Sequence, residues 1–235
     1  MKKYIGTKQV EAMPMTLGEF INKIGRNPYA NDVNIHTNDE EGYLVKYQDG
    51  YESWSPKDVF EGAYKIADTA LDRMLIEGED LTIKLEKLQA FTCTSKFGEL
   101  DAATRAMLVA QANIMQEYQG VLNQRYTKME SGEGSLGNLS FSVAIALLKS
   151  GFAIRRTGWN GKGLFVIKQV PAHIESETIP KMQSLPQSAK DLIMKGKGFI
   201  DYTSQCLIYN ENTGRADSWV PSISDVFAED WEIVN

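Results

Sequence analysis

The sequence predicts an α+β protein: a small antiparallel β-rich C-terminal module with short helices, preceded by an antiparallel helical hairpin and a small N-terminal segment joining a β-hairpin to short helices. Three observations carry that expectation. Near the N-terminus an Asp-Gly pair separates two runs rich in Tyr, Val and Trp. In the middle, two long stretches repeat their apolar residues at helical spacing. Toward the C-terminus, short apolar runs alternate with turns bearing glycine and asparagine.

Taken in order, Thr16-Leu17-Gly18-Glu19 has capping-box spacing and predicts a short helix over Leu17 to Ile24, and the polar stretch Asn27 to Glu41 reads as loop. Tyr43 to Tyr47 and Tyr51 to Trp54 flank Gln48-Asp49-Gly50, where Asp-Gly supplies the positive φ angles of a tight hairpin. Ser55-Pro56-Lys57-Asp58 offers a capping hydroxyl, a proline for the first helical position and an acid for the first turn, so a helix should begin at once. Leu71, Met74, Leu81, Leu85 and Leu88 form one helical stripe, and Met107, Ile114 and Val121 beside Leu108, Met115 and Leu122 form a second. Thr92 to Leu100 separates them, with Asp101 as the N-cap of the second helix. A stripe this wide needs more cover than one partner helix gives. Core or oligomer contact accounts for its methionines more readily than a peptide groove.

Met129 to Asn138 is rich in Gly and Ser and reads as a linker. Beyond it, Phe141 to Leu148 predicts an amphipathic helix stopped by Ser150-Gly151. Phe152 to Arg156 and Leu164 to Ile167 predict strands around a glycine-bearing turn, and Gln187 to Lys195 a helix. Cys206 to Tyr209 and Ala216 to Val220 predict strands joined through Asn212-Thr213-Gly214. A short helix at Ser224 to Ala228 and a strand at Trp231 to Val234 close the module. The expected organisation is 1–62, β-hairpin and short helices; 63–129, helical hairpin; 130–138, linker; and 139–235, ligand-binding module.

Composition narrows the function classes. Hydrophobic residues at 43% and charged residues at 24% suit a chain with a real core. No apolar run reaches the roughly 18 residues of a membrane span, and the Met-Lys-Lys start lacks a signal-peptide core, so a cytosolic protein is expected. Cys93 and Cys206 have no metal-binding or disulfide spacing and read as reduced and structural. A net charge of −6 argues against a nucleic-acid polymer as partner. Yet Gly134 to Ile174 contains no Asp or Glu while holding Lys149, Arg155, Arg156, Lys162 and Lys168. That island is either a solvated basic surface or an anion site.

The turn Gly158-Trp159-Asn160-Gly161-Lys162-Gly163 lies inside the island. Its glycines let backbone amides approach an anion, and Lys162 adds charge. It is not a Walker A loop, because Arg156 and Gly163 stand where that motif needs Gly and a hydroxyl, and it does not open a helix as a dinucleotide fingerprint does. Trp159 at the apex, beside Arg155 and Arg156, either offers a base-stacking face or folds over the core.

Several motifs, in order, resemble one family across about Ser140 to Val234. They are Phe141 with Leu147-Leu148-Lys149-Ser150-Gly151; Arg156 through Phe165; Trp219-Val220-Pro221-Ser222 with Ser224-Asp225; and Ala228-Glu229-Asp230-Trp231-Glu232. They are similar to the second family of Thoeris anti-defence proteins. The resemblance implies a phage-encoded sponge in the cytoplasm of the infected bacterium: a β-rich homotetramer that sequesters glycocyclic ADP-ribose signals made by TIR-domain enzymes. The resemblance also implies, for some relatives, a separate pocket for cyclic di- or trinucleotides. It further implies Trp159 and Trp219 as aromatic walls for the base, with Asn160, Gly161 and Ser222 as polar contacts. Asp225 is either a ribose acceptor or a helix cap. Ile5 to Pro14 and Gly42 to Pro56 resemble a segment of small phage proteins of unassigned role.

Binding is expected rather than catalysis. His36 and His173 fall in different segments, and neither a nucleophile triad nor metal-ligand spacing can be inferred, so no catalytic residue, metal or cofactor is expected. Nanomolar capture corresponds to about 12 kcal/mol, whereas stacking supplies on the order of 1 to 3 kcal/mol per base, so phosphate contacts through Arg156 or Lys162 should contribute. The alternatives are a hydrolase of the same signal, and a structural or inhibitory phage protein acting through the helical hairpin.

Overall fold

A computed structural model describes residues 8–30 and 36–234. Part of the loop expected at 27–41 and the first residues of the phage-like segment at 5–14 therefore lie outside the described residues. The chain is α+β and groups into two compact units, divided between Arg73 and Met74. The four-part organisation of the sequence remains a proposal beside that grouping.

The first unit contains β1 (Glu11–Pro14), α1 (Leu17–Ile24), β2 (Gly42–Lys46), β3 (Glu52–Pro56) and α2 (Lys57–Ala63). The strands form an antiparallel sheet in the order β1-β2-β3. Thr16 caps α1 as the sequence predicts: its hydroxyl accepts from Glu19 N–H, and the Glu19 carboxylate accepts from Thr16 N–H at 2.9 Å. Gly50, at φ 82°, turns the β2–β3 hairpin. Leu17, Phe20, Leu44 and Trp54 make the core of this unit. One local expectation is corrected. Ser55 does not cap α2: it lies within β3, Pro56 holds the N-cap position, and no side chain bonds the first turn.

The second unit opens within α3 (Ala70–Thr92) and continues through α4 (Ser95–Gly98) and α5 (Ala102–Ser131). Asp101 caps α5, accepting from Thr104 N–H at 2.9 Å. Across the hairpin, Tyr118 O–H donates to Glu77, and Gln119 Nε2 donates to Thr82 Oγ1 at 2.6 Å. Met74, Leu85 and Leu122 are its buried apolar residues, while Ile83, Met107 and Ile114 remain exposed. Helix α5 runs to Ser131, into the stretch expected as linker, and stops at Gly132 in the left-handed conformation. The rest of that stretch does not run free. Gly137 exchanges two 2.8 Å hydrogen bonds with the Gln124 side chain, and Ile233 N–H donates to Leu136 O.

There follow α6 (Phe141–Lys149), β4 (Ile154–Arg156), β5 (Leu164–Gln169), β6 (Ala172–Ile174), a 3₁₀ turn (Ile179–Lys181), α7 (Gln187–Lys195), β7 (Ile200–Tyr202), β8 (Gln205–Asn210), β9 (Arg215–Ser218), α8 (Ile223–Val226) and β10 (Trp231–Ile233). The main sheet is antiparallel, in the order β10-β4-β5-β8-β9, so the last strand reaches back to pair with β4. The β6–β7 ribbon was not foreseen: three-residue strands pairing across 25 residues leave too short a pattern to read. Helix α6 lays Ala144 and Leu148 against Ile154, Val166 and Trp231, which is fully buried.

Candidate functional site

The site grows from the β4–β5 turn. Arg156 ends β4 and carries a fork that must find acceptors. Pairing of β10 with β4 brings Asp230 alongside, and the α8 turn brings Asp225. Arg156 Nε donates to Asp230 Oδ1 at 2.8 Å, and its Nη1 donates to Asp225 Oδ1 at 3.0 Å. Asp230 also anchors the start of the turn: its Oδ2 accepts from Gly158 N–H at 2.8 Å, and its carbonyl accepts from Thr157 N–H at 3.1 Å. A Cβ on residue 158 would stand 2.6 Å from that carboxylate oxygen, which is why glycine is needed there.

Asp225 is 6% exposed and saturated with donors. Besides Arg156, its Oδ1 accepts from Trp159 Nε1 at 3.1 Å, and its Oδ2 accepts from Ser222 N–H at 2.9 Å and Ser222 Oγ at 2.7 Å. Burial alone would raise its pKa, but the bonds from Ser222, Arg156 and Trp159 outweigh that and hold it at about 2. Asp230 is likewise lowered: desolvation opposes its charge, and Arg156 and the Gly158 amide overcome it. The Asp230 and Asp225 carboxylates in turn raise Arg156, against its own desolvation. Of the two roles open to Asp225, the geometry fills the cap: Ser222 and Asp225 form a reciprocal capping box on α8.

Trp159 and Trp219 meet Trp231 edge-on, with ring centroids at 5.5 and 6.1 Å, so both indoles stand on the core. Together they border one cavity of about 250 Å³, completed by Asn160, Gly161, Leu164, Ile208 and Asp225. Trp159 thus packs on the core and also borders the cavity. Its indole N–H is engaged by Asp225, whereas the Trp219 indole N–H has no partner among the described residues. The backbone amides of Asn160 and Gly161 also donate to nothing among the described residues, which leaves them available to a ligand.

The structure therefore brings Trp159, Asn160, Gly161, Trp219 and Asp225 together at one cavity, with Arg156 behind its wall and Ser222 at the cap of α8. Lys162 follows the lining residues in the same turn, exposed, its carbonyl accepting from Asn212 Nδ2 at 2.8 Å. The cationic island is only partly free. Arg155 pairs with Glu232 and Arg156 with two aspartates, while Lys149, Lys162 and Lys168 make no ion pair among the described residues. Sequence reasoning gave no role to Asp230 or to the lining residues Leu164 and Ile208. The acid-free run 134–174 was a usable signal for Asp230, because two arginines in a half-buried strand must draw acids from elsewhere in the chain.

A second, larger groove of about 570 Å³ lies on the helical hairpin, where Met74, Ile83 and Leu122 meet Thr82, Gln119 and Tyr126. Among the described residues, no cluster of His, Cys, Asp and Glu is arranged to hold a metal ion, and no helix is long and apolar enough to cross a membrane.

Comparison with known proteins gives this geometry a context. Residues 139–234, which include every residue of the tryptophan cavity, match the Thoeris anti-defense 2-like domain, and residues 68–128, which include most of the hairpin, match the family described as Sequestin. The Thoeris anti-defense 2 protein of Bacillus phage SP01 is 32% identical over 102 residues, an alignment spanning 41% of this chain and 96% of that protein. With a relative matched over nearly its whole length and the cavity inside the match, this chain belongs to the Thoeris anti-defense 2 family.

Proposed function

We propose that the protein is a phage anti-defence sponge that captures glycocyclic ADP-ribose signals in the cytoplasm of the infected bacterium and holds them without cleavage. The observation that carries this reading is the shared cavity of Trp159 and Trp219: two indoles braced on Trp231 beside backbone amides that have no partner among the described residues. Their faces take a purine, the Trp219 N–H and the Asn160 side chain read its polar edge, and the Asn160 and Gly161 amides with Lys162 meet phosphate. Ser222, Asp225 and Arg156 serve the same site as its wall and frame.

A cavity of about 250 Å³ lies below the roughly 300 Å³ at which small-molecule sites begin, so one chain holds the base and a second copy covers the rest. The outer face of α8 supports assembly into a homo-oligomer, proposed as a tetramer. Ile223, which opens α8, and Phe227, its C-cap residue, are each 79% exposed. A second capture site, for cyclic di- or trinucleotides, is proposed at the hairpin groove, on the strength of its larger volume and mixed apolar and amide lining.

The test is to incubate the protein with a panel of cyclic nucleotide signals, filter, release by heat and weigh the ligand by mass spectrometry. Intact glycocyclic ADP-ribose at no more than one equivalent per site is expected, with capture lost in Trp159→Ala. A changed mass with turnover indicates a hydrolase. Protein binding that survives deletion of 140–235 indicates action through the hairpin.

A further inference from the structure

We infer that Asp230 and Arg156 are positioning residues of the capture site: with Asp225 they form an ionic clasp that presets Trp159 and its turn, and Arg156 does not itself contact phosphate. The inference rests on the proposed capture reading and assigns roles within that site.

Its basis is where Arg156 Nε and Nη1 point. Arg156 Nε and Nη1 are both taken by carboxylates at 3.0 Å or less, and Nη1 also reaches Ser224 O at 3.2 Å. One guanidinium between two carboxylates leaves the cluster with a net negative charge, which opposes an approaching phosphate instead of attracting it. The same carboxylates hold the turn at both of its critical points. Asp230 fixes the Gly158 amide at the entrance, and Asp225 fixes the Trp159 indole N–H at the apex. Trp159 therefore meets a ligand with its ring already oriented, so less ordering remains to be done on binding. Asp230 is 29% exposed in its side chain and does not line the cavity, so its influence on the ligand runs through Arg156 and the turn.

A lysine tells the two roles of Arg156 apart. A phosphate contact needs charge, which lysine keeps; a clasp needs a planar fork reaching two acids at once, which lysine lacks. With glycocyclic ADP-ribose as probe, Arg156→Lys and Asp230→Asn should each weaken capture by about tenfold or more, while the dependence of affinity on salt stays as in the unmodified protein. In ¹⁵N-tryptophan-labelled protein the Trp159 indole resonance should move in both variants, with the Trp54 resonance, from the other unit, unmoved as a folding control. In the unmodified protein the Arg156 Nε–H resonance should be visible before the probe is added and scarcely displaced by it, a measurement that stands even where a variant folds poorly. Wild-type affinity in Arg156→Lys, a flattened salt dependence in Arg156→Gln, or a large displacement of the Arg156 resonance on binding would each overturn the inference. Failure of the unmodified protein to retain the probe overturns the capture reading instead, and the Trp159 resonance in Asp230→Asn still decides the clasp.

Discussion

At the scale of single residues, Asp225 does the most with the fewest atoms: two oxygens accept from a guanidinium, an indole, an amide and a hydroxyl. Its folded pKa of about 2 lies below the ordinary 3.8, so its contribution to stability is complete above pH 4 and is lost as pH falls toward 2 and below. The shift corresponds to about 2 kcal/mol. Urea unfolding followed from pH 5 to pH 2 should show that loss, and Asp225→Asn should remove a matching part of the pH slope. Asp230, depressed in the same direction, also contributes stability that is lost as pH falls below the ordinary carboxylate range. Residue types drew attention to Trp159 as a large aromatic among glycines in a cationic run, and left open whether it walls a cleft or packs on the core. The clasp was not legible: Arg156 lies 69 and 74 positions from its acids, and only the β10–β4 pairing and the α8 turn bring them together.

Among elements, the contrast between two glycines separates a required backbone from an incidental one. Gly163 has φ +76°, and a Cβ there would stand 2.5 Å from Asn212 Nδ2 and 2.6 Å from Glu211 Cγ. Gly120 lies inside α5 with nothing within 4 Å of its Cβ position. Gly163→Ala should cost about 1 to 3 kcal/mol, and Gly120→Ala should add about 0.5 to 1 kcal/mol. Paired thermal unfolding of the two variants reads both signs at once. Elements with local chemistry were legible for the same reason that these glycines are. The Thr16 and Asp101 caps, the Asp49-Gly50 turn and the helical stripes each declare themselves within a few residues. The β6–β7 ribbon and the bonds that tie Gly137 to Gln124 depend on partners far along the chain, and Ser55 lost its capping role because strand pairing with Tyr43 claimed it first.

For the molecule as a whole, the bare face of α8 is the feature that bears on assembly. Burying Ile223 and Phe227 against another copy would remove apolar area that a lone chain leaves in water, at about 25 cal/mol per Å². Replacing both with Asp should shift the mass measured by light scattering toward a smaller species and weaken capture with it. A wild-type protein already at the mass of one chain would sink the proposed oligomer. Family membership was legible because several motifs occur in order, whereas the cavity lining is drawn from residues up to 66 positions apart and leaves no local pattern in the sequence. The pairing of Leu139 with Trp231, through hydrogen bonds of 2.9 and 3.1 Å, has a practical side. It sets the entry and exit of the cavity-bearing module shoulder to shoulder, the layout that tolerates splicing into another protein's surface loop. Grafted that way into a carrier protein, the module would bring its tryptophan cleft along with both of its chain ends leaving side by side.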